Sequence, residues 1–268
     1  MKNIFHKTYL IGLSVLLTFS SCTEEIDVDL NESDPQIVIE GKVTTSGASI
    51  VKIARSVNFD QANDFPEVRD AFVELTDDQG NSEILTESSP GTYISSNIVG
   101  TVGNTYSLLV QSDGKTLSSM SRIPSQVPFD SIVLSRTTGS IVGSSNDTVY
   151  IVRVRIKDPI DEANYYRFLE SINGELSNSY VYNDRLFNGE EVDLILPDFT
   201  REIEAGDILK IEMQCIDESV HEYFSSFSNS QGSPGGSSNP ANPYTNIIGS
   251  DVGYFSAHTS EIKEIIIQ

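Results

Sequence analysis

The chemistry most plainly spelled in this chain is lipid modification of a cysteine. Cys22 follows a stretch that carries Lys2 and Lys7, an apolar run over residues 9–19, and the small residues Ser20 and Ser21. A basic start, a short apolar centre and small residues before a cleavage point make a secretory signal peptide over residues 1–21. The segment Thr18-Phe19-Ser20-Ser21-Cys22 resembles a bacterial lipobox, with Leu17 one place ahead of the usual leucine position. Cleavage before Cys22 would leave the thiol to take acyl chains, and such a cysteine carries about three, above the two signals that stable anchoring requires. The apolar run falls well short of the roughly 20 residues that cross a bilayer. The expected product is a lipoprotein held in the membrane through Cys22.

Elsewhere the residue types that do chemistry are sparse. Of three histidines, His6 lies in the leader, and His221 and His258 stand alone with no HExxH spacing. Cys215 is the one cysteine besides Cys22, too few thiols for zinc or for an intramolecular disulfide once Cys22 is lipidated. It falls in the series Leu209, Ile211, Met213, Cys215, alternating with Lys210, Glu212 and Gln214, which places the thiol on the buried face of a strand. No Gly-x-Ser-x-Gly elbow and no glycine-rich phosphate loop is present. Asp77, Asp78 and Asn81 around Gly80 lack the spacing and final glutamate of a calcium loop and read as a hairpin turn. Asp158-Pro159-Ile160-Asp161-Glu162 reads as the end of a strand. With 39 acidic residues, any carboxylate pair chosen for hydrolysis would be arbitrary. The residues therefore point to a non-enzymatic protein with no catalytic residues, metal ligands or cofactor. A hydrolase would require His221 or His258 to meet carboxylates in one concavity.

Charge narrows the partners. The 268 residues hold 17 basic against 39 acidic side chains, a net charge of −22, and the leader contributes only basic ones. That field argues against nucleic acid and against docking on anionic lipid; it reads first as a well-solvated surface and, as the alternative, as an attraction for cationic ligands or divalent metals. After Cys22 come Glu24, Glu25, Asp27 and Asp29, an acidic tether over 22–33 that stays in water as a spacer. The acidic pair so close behind the cysteine resembles the surface-export signal of Bacteroidota lipoproteins. The expected location is the outer membrane, on its cell-surface face.

The elements that must position any site are mostly strands. Residues 36–43, 50–54, 71–76, 82–86, 92–95, 106–111 and 117–122 alternate apolar and polar side chains between turn signals. Asp113-Gly114 is a two-residue hairpin turn. This pattern predicts an immunoglobulin-like β-sandwich over 34–123. Pro124 and Pro128 break any ladder and mark a linker. A second β-sandwich is expected over 127–268, with strands near 129–136, 150–156, 164–172, 179–182, 192–196, 208–216 and 262–267. One amphipathic helix is predicted near 217–229, capped by Asp217, with Val220, Tyr223, Phe224 and Phe227 on one stripe. The stripe is expected to pack as core and His221 to be solvated. Residues 231–243 are rich in Gly, Ser, Pro and Asn and form a long loop; with the adjoining Tyr244 it is the candidate partner contact. The fold class is all-β.

Several stretches together carry a family resemblance. They are Gln36-Ile37-Val38-Ile39-Glu40-Gly41, Gly91-Thr92-Tyr93, Val127-Pro128-Phe129-Asp130-Ser131-Ile132, Tyr223-Phe224-Ser225-Ser226-Phe227, Asn242-Pro243-Tyr244, Thr245-Asn246-Ile247 and Gly253-Tyr254-Phe255. Their order resembles the Bacteroidota lipoproteins of the domain of unknown function 4249 family. That family brings no catalytic residues to carry over. Its members are typically encoded beside TonB-dependent outer-membrane receptors, so the resemblance implies an accessory or ligand-capture partner of such a receptor. The alternatives are a stand-alone adhesin or structural envelope lipoprotein, and then a hydrolase.

Overall fold

Alternation with period two decides the architecture, because it gives each strand one apolar and one polar face. The computed structural model describes residues 34–58, 64–138, 148–197, 203–230, 244–250 and 252–268. Its strands are β1 (Ile37–Thr44), β2 (Ile50–Arg55), β3 (Phe72–Asp77), β4 (Ser82–Ile84), β5 (Thr86–Ser89), β6 (Thr92–Ile94), β7 (Thr105–Ser112) and β8 (Lys115–Arg122). They continue as β9 (Phe129–Thr138), β10 (Thr148–Lys157), β11 (Tyr165–Ile172), β12 (Glu175–Asn183), β13 (Glu191–Leu196), β14 (Ile208–Ile216) and β15 (Gly253–Ile266), with helix α1 (Glu218–Ser230) between the last two strands. A long sheet runs in the order β12-β11-β14-β15-β1-β2-β6-β5. A four-stranded sheet, β4-β3-β7-β8, and a three-stranded sheet, β13-β10-β9, complete the fold. The protein is an all-β sandwich with one α-helix among the described residues.

Two cores fill the space between the sheets. The first joins Ile39, Val43, Val51 and Ile53 of the long sheet to Val73, Leu75, Leu108, Val110 and Leu117 of the four-stranded sheet. The second joins Phe168, Leu209, Ile211 and Met213 of the long sheet to Val152, Val154, Ile156, Leu194 and Leu196 of the three-stranded sheet. Cys215 is 2% exposed in this second core, on the buried strand face its spacing predicts. The stretch expected to link two domains lies between Ile123 of the first core and Val127 of the second. Across it the long sheet is continuous, and Pro35–Gln268 form one compact unit.

Strand β15 makes that continuity. Its first half pairs in parallel with β1, from Ile39↔Gly253 to Thr44↔His258. It then pairs antiparallel with β14, from Cys215↔Thr259 to Ile208↔Ile266. The apolar 262–267 segment is thus paired, as its aggregation-prone pattern demands. Phe255 and Ala257 enter the first core and Ile265 packs on the second, so by alternation both cores lie on one face of the long sheet. Gly253 has φ 106, and a Cβ there would collide with the Ile39 carbonyl oxygen. Only glycine lets β15 start this close to β1.

The run expected as one strand over 82–86 is divided. Leu85 turns inward, 5% exposed, and its N–H donates to Val73 O at 2.8 Å. The chain therefore leaves the four-stranded sheet after β4 and enters the long sheet as β5, a corner that strands of packed sheets use. The turn of the β7–β8 hairpin is as expected, with Asp113 at φ 52 and Gly114 at φ 73, the left-handed pair of a type I′ turn.

Candidate functional site

The face of the long sheet away from the cores carries the polar alternates of β11, β14 and β15. Arg167, Gln214, Tyr254, Ser256 and His258 fall there. Arg167 donates from Nε to Ser179 Oγ at 3.1 Å and reaches Gln214 Oε1 at 3.5 Å, while Gln214 Nε2 donates to Glu212 Oε1 at 2.8 Å. His258 is 4% exposed, with Nδ1 2.8 Å from Ser256 Oγ. Burial, then the nearby Arg167 and Lys42 cations, push its pKa down to about 4, so it is neutral at physiological pH. The sequence left this histidine unplaced.

Helix α1 covers part of this face, and Asp217 fixes where it starts. Asp217 Oδ1 accepts from Val220 N at 3.0 Å and from Ser219 Oγ at 2.7 Å, a helix N-cap as expected. Its other oxygen accepts from Arg122 N at 3.0 Å and from the Ser121 hydroxyl, which in turn accepts from Ala257 N at 2.7 Å. One carboxylate thus ties the helix to β8 and β15. Below it, Val220 is fully buried. The rest of the expected core stripe is an aromatic cluster rather than sealed core, because it packs on a polar sheet face. Tyr223 meets Phe224 edge-on at 4.9 Å and stacks on Phe227 at 6.3 Å, and both Tyr223 and Phe224 reach Tyr254. Phe227 is 41% exposed. The Arg167 guanidinium lies 3.6 Å from the Phe224 ring centre, a cation–π contact between sheet and helix.

The opposite flank of α1 borders an open concavity of about 520 Å³. It is lined by Glu218, His221, Glu222, Ser225 and Ser226 of the helix, by Tyr165, Asn183 and Arg185, and by Tyr244. The spacing of Glu218, His221, Glu222 and Ser225 puts them on one helical stripe. The facing wall depends on the β11–β12 hairpin, which pairs Tyr165 with Asn183. A single 3-10 turn follows at Asp184–Leu186, capped by Asn183, whose Oδ1 accepts from Arg185 N at 3.3 Å. The buried Asp184 carboxylate accepts from Asn164 N at 2.7 Å and locks this turn to the start of β11. Ser226 Oγ accepts from Tyr244 N at 2.8 Å, which brings Tyr244 to the rim. Asn246 then bonds the backbone of Phe255 in both directions, anchoring the segment to β15.

Electrostatics in the concavity are mixed. His221 is half-buried against the Tyr165 ring, centroids 5.1 Å apart, so the expectation that it is solvated is corrected. The reason is the sheet: β11 supplies an aromatic ring opposite the helix's polar flank. Burial lowers the His221 pKa, and Arg185 adds to that, so the ring is neutral at pH 7. Burial raises the Tyr165 pKa, as does its hydrogen bond to Glu218. Arg185 and Glu222 enter no ion pair among the described residues.

Of the residues singled out in the sequence, Tyr244 lies at this site, 44% exposed. His221 lies there beside Glu218 and Glu222, so the meeting of a histidine with carboxylates in one concavity that the hydrolase alternative requires is present. Cys22 and the 231–243 loop lie outside the described residues. Asp77 accepts from Gln79 N, Asn81 N and Asn81 Nδ2 and so closes a turn. Asp158 is buried, accepting from the Tyr166 hydroxyl and from Gly189 N. Among the described residues no group of three His, Cys, Asp or Glu could hold a metal ion. The Glu218, His221, Glu222 spacing was visible in the sequence as the polar flank of the helix. Tyr165, Asn183 and Arg185 carry no local signal, since only the hairpin register brings them to the helix.

No curated protein matches the chain. The family model described as "Domain of unknown function (DUF4249)" matches residues 23–264, nearly the whole length described above. The chain therefore belongs to the DUF4249 family.

Proposed function

We propose that this protein is a non-enzymatic, ligand-capturing accessory of a TonB-dependent outer-membrane receptor, a Bacteroidota lipoprotein anchored through Cys22 and displayed at the cell surface. The observation that carries ligand capture is the concavity beside α1, whose size lies in the ~300–1,000 Å³ range of small-molecule sites. It combines two tyrosines with converging polar groups on a sheet-and-helix scaffold. Anchoring draws its support from the leader and Cys22, surface display from Glu24 and Glu25, and the receptor partnership from the typical gene neighbourhood of the family.

The deciding experiment is affinity purification of the tagged lipoprotein from mildly solubilised outer membranes, with partners identified by mass spectrometry. A stoichiometric β-barrel receptor is the expected result. A clean monomer would overturn the partnership and leave the adhesin or spacer reading. Separately, Cys22→Ala should move the protein out of the membrane fraction and abolish metabolic labelling with palmitate. Continued labelling would sink the anchoring assignment.

A further inference from the structure

The chemistry lining the concavity is more specific than its size. Two opposite charges face the same space without neutralising each other. Arg185 stands on the 3-10 turn at one wall, Glu222 on the helix at the other, and neither enters an ion pair among the described residues. Glu218 interacts with Tyr165, whose pKa burial and then this contact raise, whereas Glu222 is exposed and enters no ion pair among the described residues. His221, between the glutamates along the helix, is neutral and adds no competing charge. The rings of Tyr165 and Tyr244 supply the apolar surface.

We infer that this concavity binds a zwitterion of the amino-acid or short-peptide class, with the ligand ammonium at Glu222 and its carboxylate at Arg185. The inference rests on the ligand-capture reading above and names its ligand. A simple anion would meet Glu218 and Glu222 in a chain of net charge −22 and is disfavoured. A simple cation would leave Arg185 without use. A ligand that carries both charges satisfies both walls, and a guanidinium suits a carboxylate because it can bond it with two parallel N–H groups. The tyrosines then cover the stem between the two charges. Because the concavity is open, the rest of a peptide can extend into solvent.

The test uses the full lipidated protein in detergent and titrates it calorimetrically with trialanine in four forms: free, N-acetylated, C-amidated, and blocked at both ends. Each lost charge should weaken binding by about tenfold or more, the scale of one charge-assisted hydrogen bond. Glu222→Gln should weaken the free peptide and remove the sensitivity to N-acetylation. Arg185→Gln should do the same for C-amidation. Both side chains are exposed, so neither variant threatens folding. Equal binding of free and doubly blocked trialanine would overturn the inference, as would no binding of the free form or preferential binding of a neutral disaccharide. Receptor co-purification is scored on the same preparation. A receptor present without trialanine binding removes the ligand assignment alone, and trialanine binding without a receptor removes only the partnership.

Discussion

Strands β11, β14 and β15 serve two environments at once, and their two faces differ in kind. Toward the three-stranded sheet they present Phe168, Leu209, Ile211, Met213 and Cys215, all essentially inaccessible. Toward α1 the neighbouring residues are Arg167, Gln214, Tyr254 and His258, buried to a similar degree in places but joined by hydrogen bonds and ring contacts. The same backbone thus carries a face held mainly by exclusion of water, although Glu170 and Thr259 are also buried on it, and a face held by directional contacts. The two faces therefore tolerate different kinds of change. The apolar face resists loss of volume, whereas the polar face responds to charge and pH and borders the concavity.

The largest effect should come from the apolar face. Phe168 is fully buried and meets Tyr182 edge-on at 5.9 Å, so Phe168→Ala should cost about 3–5 kcal/mol in urea unfolding. Its neighbour Leu169 points to the other face and is half-buried, so Leu169→Ala should cost about 1 kcal/mol. Equal losses would erase the distinction between the faces.

Next in size is a pH effect specific to the polar face. His258 titrates near 4 when folded because burial, with Arg167 and Lys42, disfavours its cation, against about 6.5 in an unfolded chain. Between those values the unfolded chain binds a proton that the native protein does not, so stability rises with pH across this window. It is complete above about pH 6.5 and falls by on the order of 3 kcal/mol as pH drops toward 4. His258→Gln, which keeps a polar group beside Ser256, should flatten that slope in unfolding curves from pH 7 to pH 4. An unchanged slope would place the sensitivity elsewhere.

The two faces were unequally legible in the sequence. The apolar one could be read because alternation is local: Leu209, Ile211, Met213 and Cys215 announce a strand and a buried face with no knowledge of the partner. The helix start was equally local, since Asp217 caps Val220 three residues on. The polar face was not legible. Nothing near His258 says that α1 and the long sheet will desolvate it, and nothing near Tyr165 says that Asn183 and Arg185 will stand beside it. Those facts depend on the β11–β12 register and on the path that returns β15 between β14 and β1, contacts of long sequence separation. The turn from β4 to β5 was hidden for a related reason, because the inward Leu85 breaks no local pattern.

A smaller effect tests how the helix is held against the polar face. Asp217→Ala removes the cap on Val220 and the link to Ser121 and Arg122. The expected cost is about 1–2 kcal/mol, with weaker trialanine binding because the helical wall shifts. Asp217→Asn, which keeps the acceptor to Val220, should recover most of the stability. If Asp217→Ala left both stability and binding unchanged, the helix would have to be held by its aromatic contacts to Tyr254 and Arg167 alone.

The smallest effect separates buried polar contacts from charges as such. Arg55 and Asp113 form an ion pair at the β7–β8 turn, with side chains 37% and 46% exposed. Water solvates both partners before and after the contact forms, so such a pair contributes at most about 1 kcal/mol and commonly less. Asp113 also holds φ 52, a left-handed conformation that asparagine adopts as readily as aspartate. Asp113→Asn therefore removes the charge without disturbing the turn, and Arg55→Met removes it from the other side. Each should shift stability by no more than about 1 kcal/mol, with little further change when salt is raised. A loss of 2 kcal/mol from either would mean that exposed charges matter here as much as enclosed ones. The contrast between the two faces of the long sheet would then reflect the presence of charge rather than the removal of water around it.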